Sequence, residues 1–258
     1  MAEQTFFDFA AEAGLTKHFG GHEGTEELVG LCHVGEGSYV LDVGCGVGVT
    51  PCFLAKRYGC RVVGVDIRAK MIERSQERAR REGVADRVEF QVADAQDLPF
   101  EDDRFDAVIT ESATSFPEDQ QRAVDEYVRV TRPGGYVGLA ESTWLKVPPP
   151  PELVAWVSQD VGATVKPQTS DAWRGLLEKA GLQDITVRIG SVDPKQESML
   201  LVRRYGCRGM FSNMFRALAM YIRNPAYRRF VKSVREGGVV PENLAEHFGY
   251  GMYVGRKG

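Results

Sequence analysis

The sequence lacks the features of a membrane-spanning, secreted or metal-binding chain. No stretch approaches the roughly 18 consecutive apolar residues that a transmembrane helix requires. Met1–Phe9 contains no basic residue and no apolar core of the length typical of a secretory signal. The five cysteines are odd in number and include no CxxC pair. We therefore expect reduced thiols, no metal site and a cytoplasmic location.

Repeats and low-complexity tracts are also absent, apart from the four prolines of Pro148–Pro151. Hydrophobic residues make up 43% and charged residues 26% of the chain, a globular composition that argues against disorder. The net charge of −4 is unevenly distributed, because the chain from Lys195 onward carries +8 and the part before it carries −12. Such asymmetry indicates an anionic partner, a membrane surface or contact between the two parts of the chain.

Short β-branched runs alternate with amphipathic helical patterns over most of the chain. This order predicts an α/β fold, with a Rossmann-like sheet of seven mostly parallel strands and helices on both faces, because single helices between strands form right-handed parallel crossovers. The predicted strands are Tyr39–Val43, Arg61–Val65, Val88–Val92, Ala107–Thr110, Tyr136–Ala140, Ile185–Ile189 and Tyr250–Val254. The predicted helices are Glu26–Leu31, Pro51–Tyr58, Lys70–Glu82, Asp119–Val130, Leu153–Val157 and Thr169–Ala180.

The most informative segment is the strand end and glycine turn at Val40–Gly48. Glycines allow a backbone to approach a ligand closely and to adopt positive φ. Ligands in open parallel sheets lie beyond the carboxyl ends of the strands, where the strand order reverses. The spacing here is GxGxG rather than the dinucleotide GxGxxG, and Asp42, a carboxylate that would repel a pyrophosphate, precedes the first glycine by two residues. These details favour S-adenosylmethionine over a nicotinamide dinucleotide.

Carboxylates also follow the next two predicted strands. Asp66 ends the second strand, 22 residues after Gly44, where a carboxylate accepts both ribose hydroxyl protons; nicotinamide sites share this feature. Asp94 follows the third strand and is placed to accept a hydrogen bond from an adenine amino group.

With these motifs the sequence resembles the class I S-adenosylmethionine-dependent methyltransferase family over roughly Ser38–Ile189. Further marks of the resemblance are Asp97–Phe100, Arg104–Val108 and Arg132–Tyr136. The resemblance implies an enzyme with S-adenosylmethionine as its cofactor. It places the methionine part at the glycine turn and the adenine beside the ends of the second and third strands. The residues expected to bind the cofactor are Asp42, Gly44, Cys45, Gly46, Gly48, Asp66, Ile67, Met71, Asp94, Ala95, Glu111 and Ser112.

A glycine-rich segment, Thr16–Thr25, precedes the first predicted helix. Related small-molecule enzymes carry such a segment folded over the cofactor, so the resemblance implies cofactor contacts from Gly20, Gly21 and Thr25, with His18 or His22 facing the acceptor. A surface or capping role for either histidine stays open. The implied organisation is an N-terminal cap at 1–37, a core at 38–195 with a lid at 142–168, and a helical insertion with the final strand at 196–258.

Motifs for nucleic-acid methylation are missing. The segment after the fourth strand, Thr110–Phe116, lacks the Asn/Asp-Pro-Pro-aromatic motif that amino-methylating enzymes of bases share, and the Pro51-Cys52 pair follows the first strand rather than the fourth. We expect a small or lipophilic acceptor and no nucleic acid, since the resemblance is to the core shared by quinone-biosynthesis and sterol or phospholipid-base methyltransferases. The alternatives are a polar metabolite, a non-catalytic S-adenosylmethionine-binding protein and a nicotinamide-dependent oxidoreductase.

The acceptor decides whether a general base is needed. A neutral nitrogen needs none, whereas a phenolic or carbon acceptor requires proton removal, for which His22, His18, Glu111 and Glu141 are candidates.

The helical pattern at 196–234 carries an apolar face with i, i+3, i+4 spacing, which we name the Met/aromatic face. Its residues are Met210, Phe211, Met214, Phe215, Leu218 and Ile222. Three interpretations stay open: a lid or homodimer contact, a pocket for a lipophilic acceptor, and a peripheral membrane contact.

Overall fold

The strands form one sheet in the order β3-β2-β1-β4-β5-β8-β7, and the short β6 pairs with β5. The computed structural model describes residues 6–16, 18–160, 165–192, 194–236, 241 and 243–258. The strands are β1 Tyr39–Val43, β2 Arg61–Asp66, β3 Val88–Val92, β4 Phe105–Glu111, β5 Thr131–Trp144, β6 Gln168–Thr169, β7 Gln183–Ser191 and β8 Phe248–Arg256. The helices are α1 Phe6–Ala13, α2 Gly21–Leu31, α3 Val49–Tyr58, α4 Ala69–Glu82, α5 Gln120–Val130, α6 Pro151–Asp160, α7 Ser170–Lys179, α8 Pro194–Arg223, α9 Pro225–Glu236 and α10 Leu244–His247.

The sheet confirms the predicted mostly parallel architecture. β1 to β5 pair in parallel, and only β8 is antiparallel to its neighbours, β5 and β7. All seven predicted strands are present, and β6, which has two residues, is an addition that the sequence did not indicate. Chain order reverses between β1 and β4, so the crevice expected for a ligand lies beyond the carboxyl ends of these strands.

Alternating side chains of the central strands supply a core on each face of the sheet. Leu41 packs with Tyr127 of α5 and Trp173 of α7 on one face. Val40 packs with Leu28 of α2 and with residues of α3 and α4 on the other. Because successive side chains of a strand point to opposite faces, a strand buried on both sides is apolar throughout, as β1 is apart from Asp42.

The predicted helix bounds differ from the observed ones mainly at caps. Asp119 and Thr169, predicted as first helical residues, are N-caps whose side chains accept hydrogen bonds from the N–H groups of Arg122 and Ala172. The lengths of α1 and α10 are eight and four residues, and the sequence did not indicate either helix.

The predicted insertions differ from the observed elements in detail. The predicted lid at 142–168 begins within a strand, since β5 continues to Trp144, and it then includes α6; residues 161–164 lie outside the described ranges. The second insertion consists of α8 and α9, and α8 is broken at Gly206, where φ is 64° and ψ is 168°. No helix within the described ranges has an apolar stretch long enough to cross a bilayer. The proposed division into cap, core and insertion stays a prediction.

Candidate active site

A cavity of about 460 Å³ lies at the carboxyl ends of the central strands, where the strand order reverses. This is the position expected for a ligand in an open parallel sheet. Twelve of the predicted site residues line this cavity, and most of them follow directly after a strand. They are His18, Asp42, Gly44, Cys45, Gly46, Asp66, Ile67, Met71, Asp94, Ala95, Glu111 and Ser112.

The turn after β1 brings its backbone close to this cavity. Gly44 and Gly46 have φ angles of 77° and 53°, in the left-handed region that favours glycine. A Cβ atom on Gly44 would collide with the Cβ of Ala113, and one on Gly46 would lie 2.8 Å from Cγ2 of Thr16. A side chain at either position would therefore displace the neighbouring wall.

The carboxylate of Asp66 is oriented by backbone N–H groups. Oδ1 accepts from the N–H of Arg68 at 2.9 Å, and Oδ2 accepts from the N–H of Gly46 at 3.1 Å. Burial raises the pKa of this carboxyl, and the two backbone hydrogen bonds oppose that shift. Each oxygen retains a lone pair, so Asp66 can accept further hydrogen bonds from a ligand in the cavity.

Asp42 is buried at the cavity wall, and its Oδ2 has no hydrogen-bond partner among the described residues. Burial raises the pKa of this carboxyl well above its ordinary value, and the nearby carboxylates of Glu111 and Asp66 raise it further. A buried polar atom without a partner is costly and uncommon. The wall therefore favours a ligand that supplies a hydrogen-bond donor or a positive charge.

Glu111, at the end of β4, is held by two hydroxyl groups. Thr25 donates to Oε1 at 2.8 Å, and Thr50 donates to Oε2 at 2.7 Å. Burial raises the pKa of Glu111 to about 7, and these two hydrogen bonds oppose the shift. The carboxyl is therefore divided between its neutral and charged forms near neutral pH.

His18 is buried beside Glu111. Its Nδ1 lies 2.9 Å from the carbonyl oxygen of Phe19 and 3.5 Å from Oε1 of Glu111, and its Nε2 lies 3.5 Å from Oγ1 of Thr25. A carbonyl oxygen only accepts hydrogen bonds, so we assign the ring proton to Nδ1. The lone pair then resides on Nε2, on a side chain that lines the cavity.

Two other predicted bases do not line the cavity. His22 stacks on Phe53 with ring centroids 4.3 Å apart. Glu141 is buried, and its Oε1 accepts from the N–H groups of Ala113 and Thr114 while Oε2 accepts from the hydroxyl of Ser115. Glu141 thus holds the loop after β4, a role that the sequence did not indicate.

Four residues expected to contact the cofactor also lie outside the cavity wall. Gly48 is the N-cap of α3, where a Cβ would press against α4, so its role is helix packing. Gly20 and Gly21, with φ of 78° and 55°, form the turn into α2. Thr25 supports Glu111 from behind. The glycine-rich segment therefore packs beside the site rather than forming its wall, apart from Thr16 and His18.

The other end of the cavity has an aromatic wall that the sequence did not indicate. Phe7 of α1 and Phe116 meet edge to face with ring centroids 5.1 Å apart, and both line the cavity. Asp94 lies at the same end, with Oδ1 accepting from the N–H of Gln96 at 2.9 Å. The two phenylalanines come from segments more than a hundred residues apart, so no local pattern brings them together.

The first half of α8 also reaches the cavity, which was not predicted. The hydroxyl of Tyr205 accepts from the N–H of Thr16 at 2.7 Å and donates to its carbonyl oxygen at 2.9 Å. Arg204 lines the cavity and donates from Nη2 to Oγ1 of Thr50 at 3.2 Å. Burial lowers the pKa of this guanidinium to about 10.

The Met/aromatic face, in the second half of α8, does not line the cavity. Phe211, Met214, Phe215, Leu218 and Ile222 are all more than half exposed. The interpretation of this face as a pocket for a lipophilic acceptor stays a prediction.

Comparison with known proteins identifies the family. A model of the methyltransferase domain matches residues 40–135. An uncharacterized protein of Haemophilus influenzae is 31% identical over 188 residues, which cover 72% of this chain and 74% of that protein. The 27-O-demethylrifamycin SV methyltransferase of Amycolatopsis mediterranei is 35% identical over 162 residues, which cover 62% of this chain and 59% of that enzyme. The chain belongs to the class I S-adenosylmethionine-dependent methyltransferases.

As a member of this family the chain is a methyltransferase of the small-molecule type, and its cofactor is S-adenosylmethionine. The predicted enzyme class and cofactor are confirmed, and the nicotinamide alternative is wrong. The fold is that of phosphoethanolamine N-methyltransferase 2 of Haemonchus contortus, with a TM-score of 0.74 at 20% identity over 98% of this chain and 58% of that chain. The alignment with the Amycolatopsis enzyme leaves about two fifths of that enzyme unmatched.

Proposed function

We propose that this methyltransferase acts on a hydroxyl group of a small lipophilic acceptor, with His18 as the general base. The observation that carries the proposal is the buried pair of His18 and Glu111 on the cavity wall. A base is needed only where the acceptor must lose a proton, as a hydroxyl must. The Amycolatopsis relative is named as a methyltransferase of 27-O-demethylrifamycin SV, and this name supports an oxygen as the acceptor atom.

The charges of the cavity fit the cofactor. Three carboxyl groups line the cavity: Asp42 and Glu111 are buried and Asp66 is half-buried, and one oxygen of Asp42 has no hydrogen-bond partner among the described residues. S-adenosylmethionine carries a sulfonium and an ammonium group, whose positive charges would offset the carboxylates of Glu111 and Asp66 that raise the pKa of Asp42. When bound, the cofactor supplies an electrophilic methyl carbon.

Residues along the wall divide the binding task. We assign the ribose hydroxyls to Asp66, because its oxygens are oriented and retain lone pairs. Ile67 and Met71 would flank the adenine, with Asp94 and Ala95 at its edge. The methionine part would lie against Asp42, Gly44, Cys45, Gly46 and Ser112. The aromatic pair of Phe7 and Phe116 would exclude water from this end.

His18 moves the proton. With Nδ1–H directed at the carbonyl oxygen of Phe19, Nε2, which lies 3.5 Å from Oγ1 of Thr25, is the ring atom that would take the acceptor's hydroxyl proton. The resulting imidazolium is stabilised by that carbonyl oxygen and by the Glu111 carboxylate, 3.5 Å away. Holding the acceptor and the methyl donor in line lowers the activation barrier by on the order of 7–11 kcal/mol in favourable cases. Alignment therefore accelerates the reaction more than proton transfer does.

The test uses methyl-labelled S-adenosylmethionine, purified protein and a cell extract divided into organic and aqueous fractions. We expect label in the organic fraction, loss of labelling in His18→Gln and retention in the matched control His22→Gln. Label confined to the aqueous fraction would favour a polar metabolite. Binding of S-adenosylhomocysteine with no labelled product would favour a non-catalytic S-adenosylmethionine-binding protein.

A further inference from the structure

The cavity wall includes the guanidinium group of Arg204, which has no anionic partner within the described part of the chain. The guanidinium of Arg204 contacts Oγ1 of Thr50 through Nη2, while its Nε and Nη1 are shielded from solvent and have no hydrogen-bond partner among the described residues. Burying such a group costs several kcal/mol unless it is paired. The unpaired nitrogens therefore indicate an anionic group that a bound ligand brings.

One hydroxyl group connects this cation to a carboxyl group. Oγ1 of Thr50 donates to Oε2 of Glu111 at 2.7 Å and accepts from Nη2 of Arg204 at 3.2 Å. The two charged side chains are thus bridged by one hydroxyl group and do not form a direct ion pair; among the described residues, Glu111 has an ionisable partner only in His18. A negative and a positive group held this close match an α-amino acid, whose ammonium and carboxylate are attached to one carbon.

We propose that Arg204, Thr50 and Glu111 form an α-amino-acid clamp, in which Arg204 binds the carboxylate and Glu111 the ammonium of the cofactor's methionine part. The proposal rests on the location of the cofactor given above but not on the acceptor. The opposite oxygen of Glu111, Oε1, remains beside His18, so the clamp and the proposed base use different edges of one carboxylate. Arg204 is then a positioning residue that α8 contributes to the core.

The clamp is tested by binding rather than turnover. S-adenosylhomocysteine contains the amino-acid part, and 5′-methylthioadenosine lacks it. We expect Arg204→Gln to lower the affinity for S-adenosylhomocysteine about 10- to 100-fold, as the loss of a charge-assisted hydrogen bond does. The affinity for 5′-methylthioadenosine should stay unchanged. The affinity of Arg204→Lys for S-adenosylhomocysteine should lie between those of the unmodified protein and Arg204→Gln, because lysine keeps the charge but lacks the paired N–H donors of a guanidinium group.

Arg203→Gln is the matched control, since this adjacent arginine is exposed and pairs with Glu23 at 3.2 Å. An equal loss of affinity for both ligands in Arg204→Gln would mean that Arg204 only shapes the cavity. Unchanged affinity for both would mean that Arg204 contacts neither. Either result would overturn the clamp. If Arg204→Gln does not fold, the ratio of the two affinities in Arg204→Lys decides. Because both ligands are unreactive, an error in the proposed acceptor leaves this test intact.

A second inference rests on the exposed Met/aromatic face. A contiguous apolar surface of this kind is rare on a monomer unless it binds something. The surrounding charge is of one sign: residues 198–235 include nine Lys or Arg and no Asp or Glu. Arg228 links charge and face directly, because its Nη1 donates to the carbonyl oxygens of Tyr221 and Ile222 at 3.0 and 2.9 Å.

We infer that this face binds the surface of a membrane that contains anionic lipid. Aromatic, Met and Leu side chains on a helix that also carries several Arg and Lys residues are typical of interfacial helices. A second copy is disfavoured as the occupant, because a two-fold contact would bring two such cationic segments together without acidic residues between them. Each basic residue near an anionic surface adds about 1 kcal/mol of attraction, which high salt screens.

Co-sedimentation with vesicles tests this inference. We expect binding to vesicles of phosphatidylcholine with phosphatidylglycerol, weaker binding at high salt, and loss of binding in Phe215→Ser/Leu218→Ser. Val147→Ser, which alters a residue 65% exposed elsewhere, should bind like the unmodified protein. Absence of binding to anionic vesicles would overturn the inference, as would a concentration-dependent dimer that the double variant abolishes.

Discussion

Nδ1 of His18 lies 3.5 Å from Oε1 of Glu111, and both side chains are buried on the wall of one cavity. The histidine comes from the segment before α2, and the glutamate from the end of β4. In the proposed mechanism, this pairing orients the base His18 and places a carboxylate close enough to stabilise its protonated form.

The first prediction concerns His18. Replacing it with glutamine should lower kcat about 10²- to 10⁴-fold, the range in which a general base contributes. The affinity for S-adenosylhomocysteine should change little, because the proposed base acts on the acceptor. Steady-state kinetics and titration calorimetry measure the two effects, with His22→Gln as the control because His22 stacks on Phe53 outside the cavity. Equal turnover in both variants would refute the assignment.

The second prediction concerns protons released on binding. The pKa of Glu111 is raised to about 7 mainly by burial, so part of the population is protonated at neutral pH. A cationic ligand favours the charged form and lowers this pKa, and binding at pH 7 should therefore release protons. Calorimetry of S-adenosylhomocysteine binding in phosphate and in Tris reports the release as a difference in apparent enthalpy. Glu111→Gln should reduce the difference without abolishing it, because the pKa of Asp42 is also raised. Identical enthalpies for the unmodified protein would contradict the prediction.

Stability should depend on the same carboxyl group. Burial raises the folded-state pKa of Glu111 from 4.5 to about 7. The contribution of this group to the stability of the ligand-free protein is therefore fully present below pH 4.5 and is lost as the pH rises through 7. The cost of keeping the group charged at pH 8 is on the order of 3 kcal/mol. Glu111→Gln should therefore raise Tm at pH 8 and change it much less at pH 5. A Tm increase of the same size at both pH values would point to packing instead.

The glycine turn gives a prediction with a built-in rescue. Gly44→Ala should destabilise the protein and weaken S-adenosylhomocysteine binding, because the added Cβ collides with that of Ala113 and φ is 77°. Removing the opposing methyl in Gly44→Ala/Ala113→Gly should recover part of both losses, leaving the backbone strain of about 1–2 kcal/mol. Thermal melts and calorimetry measure the recovery. If the double variant is no better than the single one, the collision is not the cause.

The order of the main strands and half of the residues that line the cavity were determined by the sequence alone. Apolar runs such as that of β1, in which Asp42 is the exception, predicted a parallel sheet buried on both faces, and the glycine turn predicted that β1 ends at the ligand site. The sequence predicted Asp66 and Glu111 as site residues because of their positions at strand ends, and they are the last residues of β2 and β4. The carboxyl ends of parallel strands meet at one edge of the sheet. Local periodicity is sufficient for such residues, since the sheet itself brings them together.

Tertiary structure decided what comes from outside the sheet. Nothing local distinguishes His18 from His22, and only the packing of α2 directs one to Glu111 and the other to Phe53. Arg204 lies 154 positions from Thr50, and its place on the wall depends on how α8 folds back over the core. Strands are positioned by pairing with their neighbours in the sheet, whereas the helices of an insertion have no such pairing. Long-range packing alone determines which of their side chains reach the site.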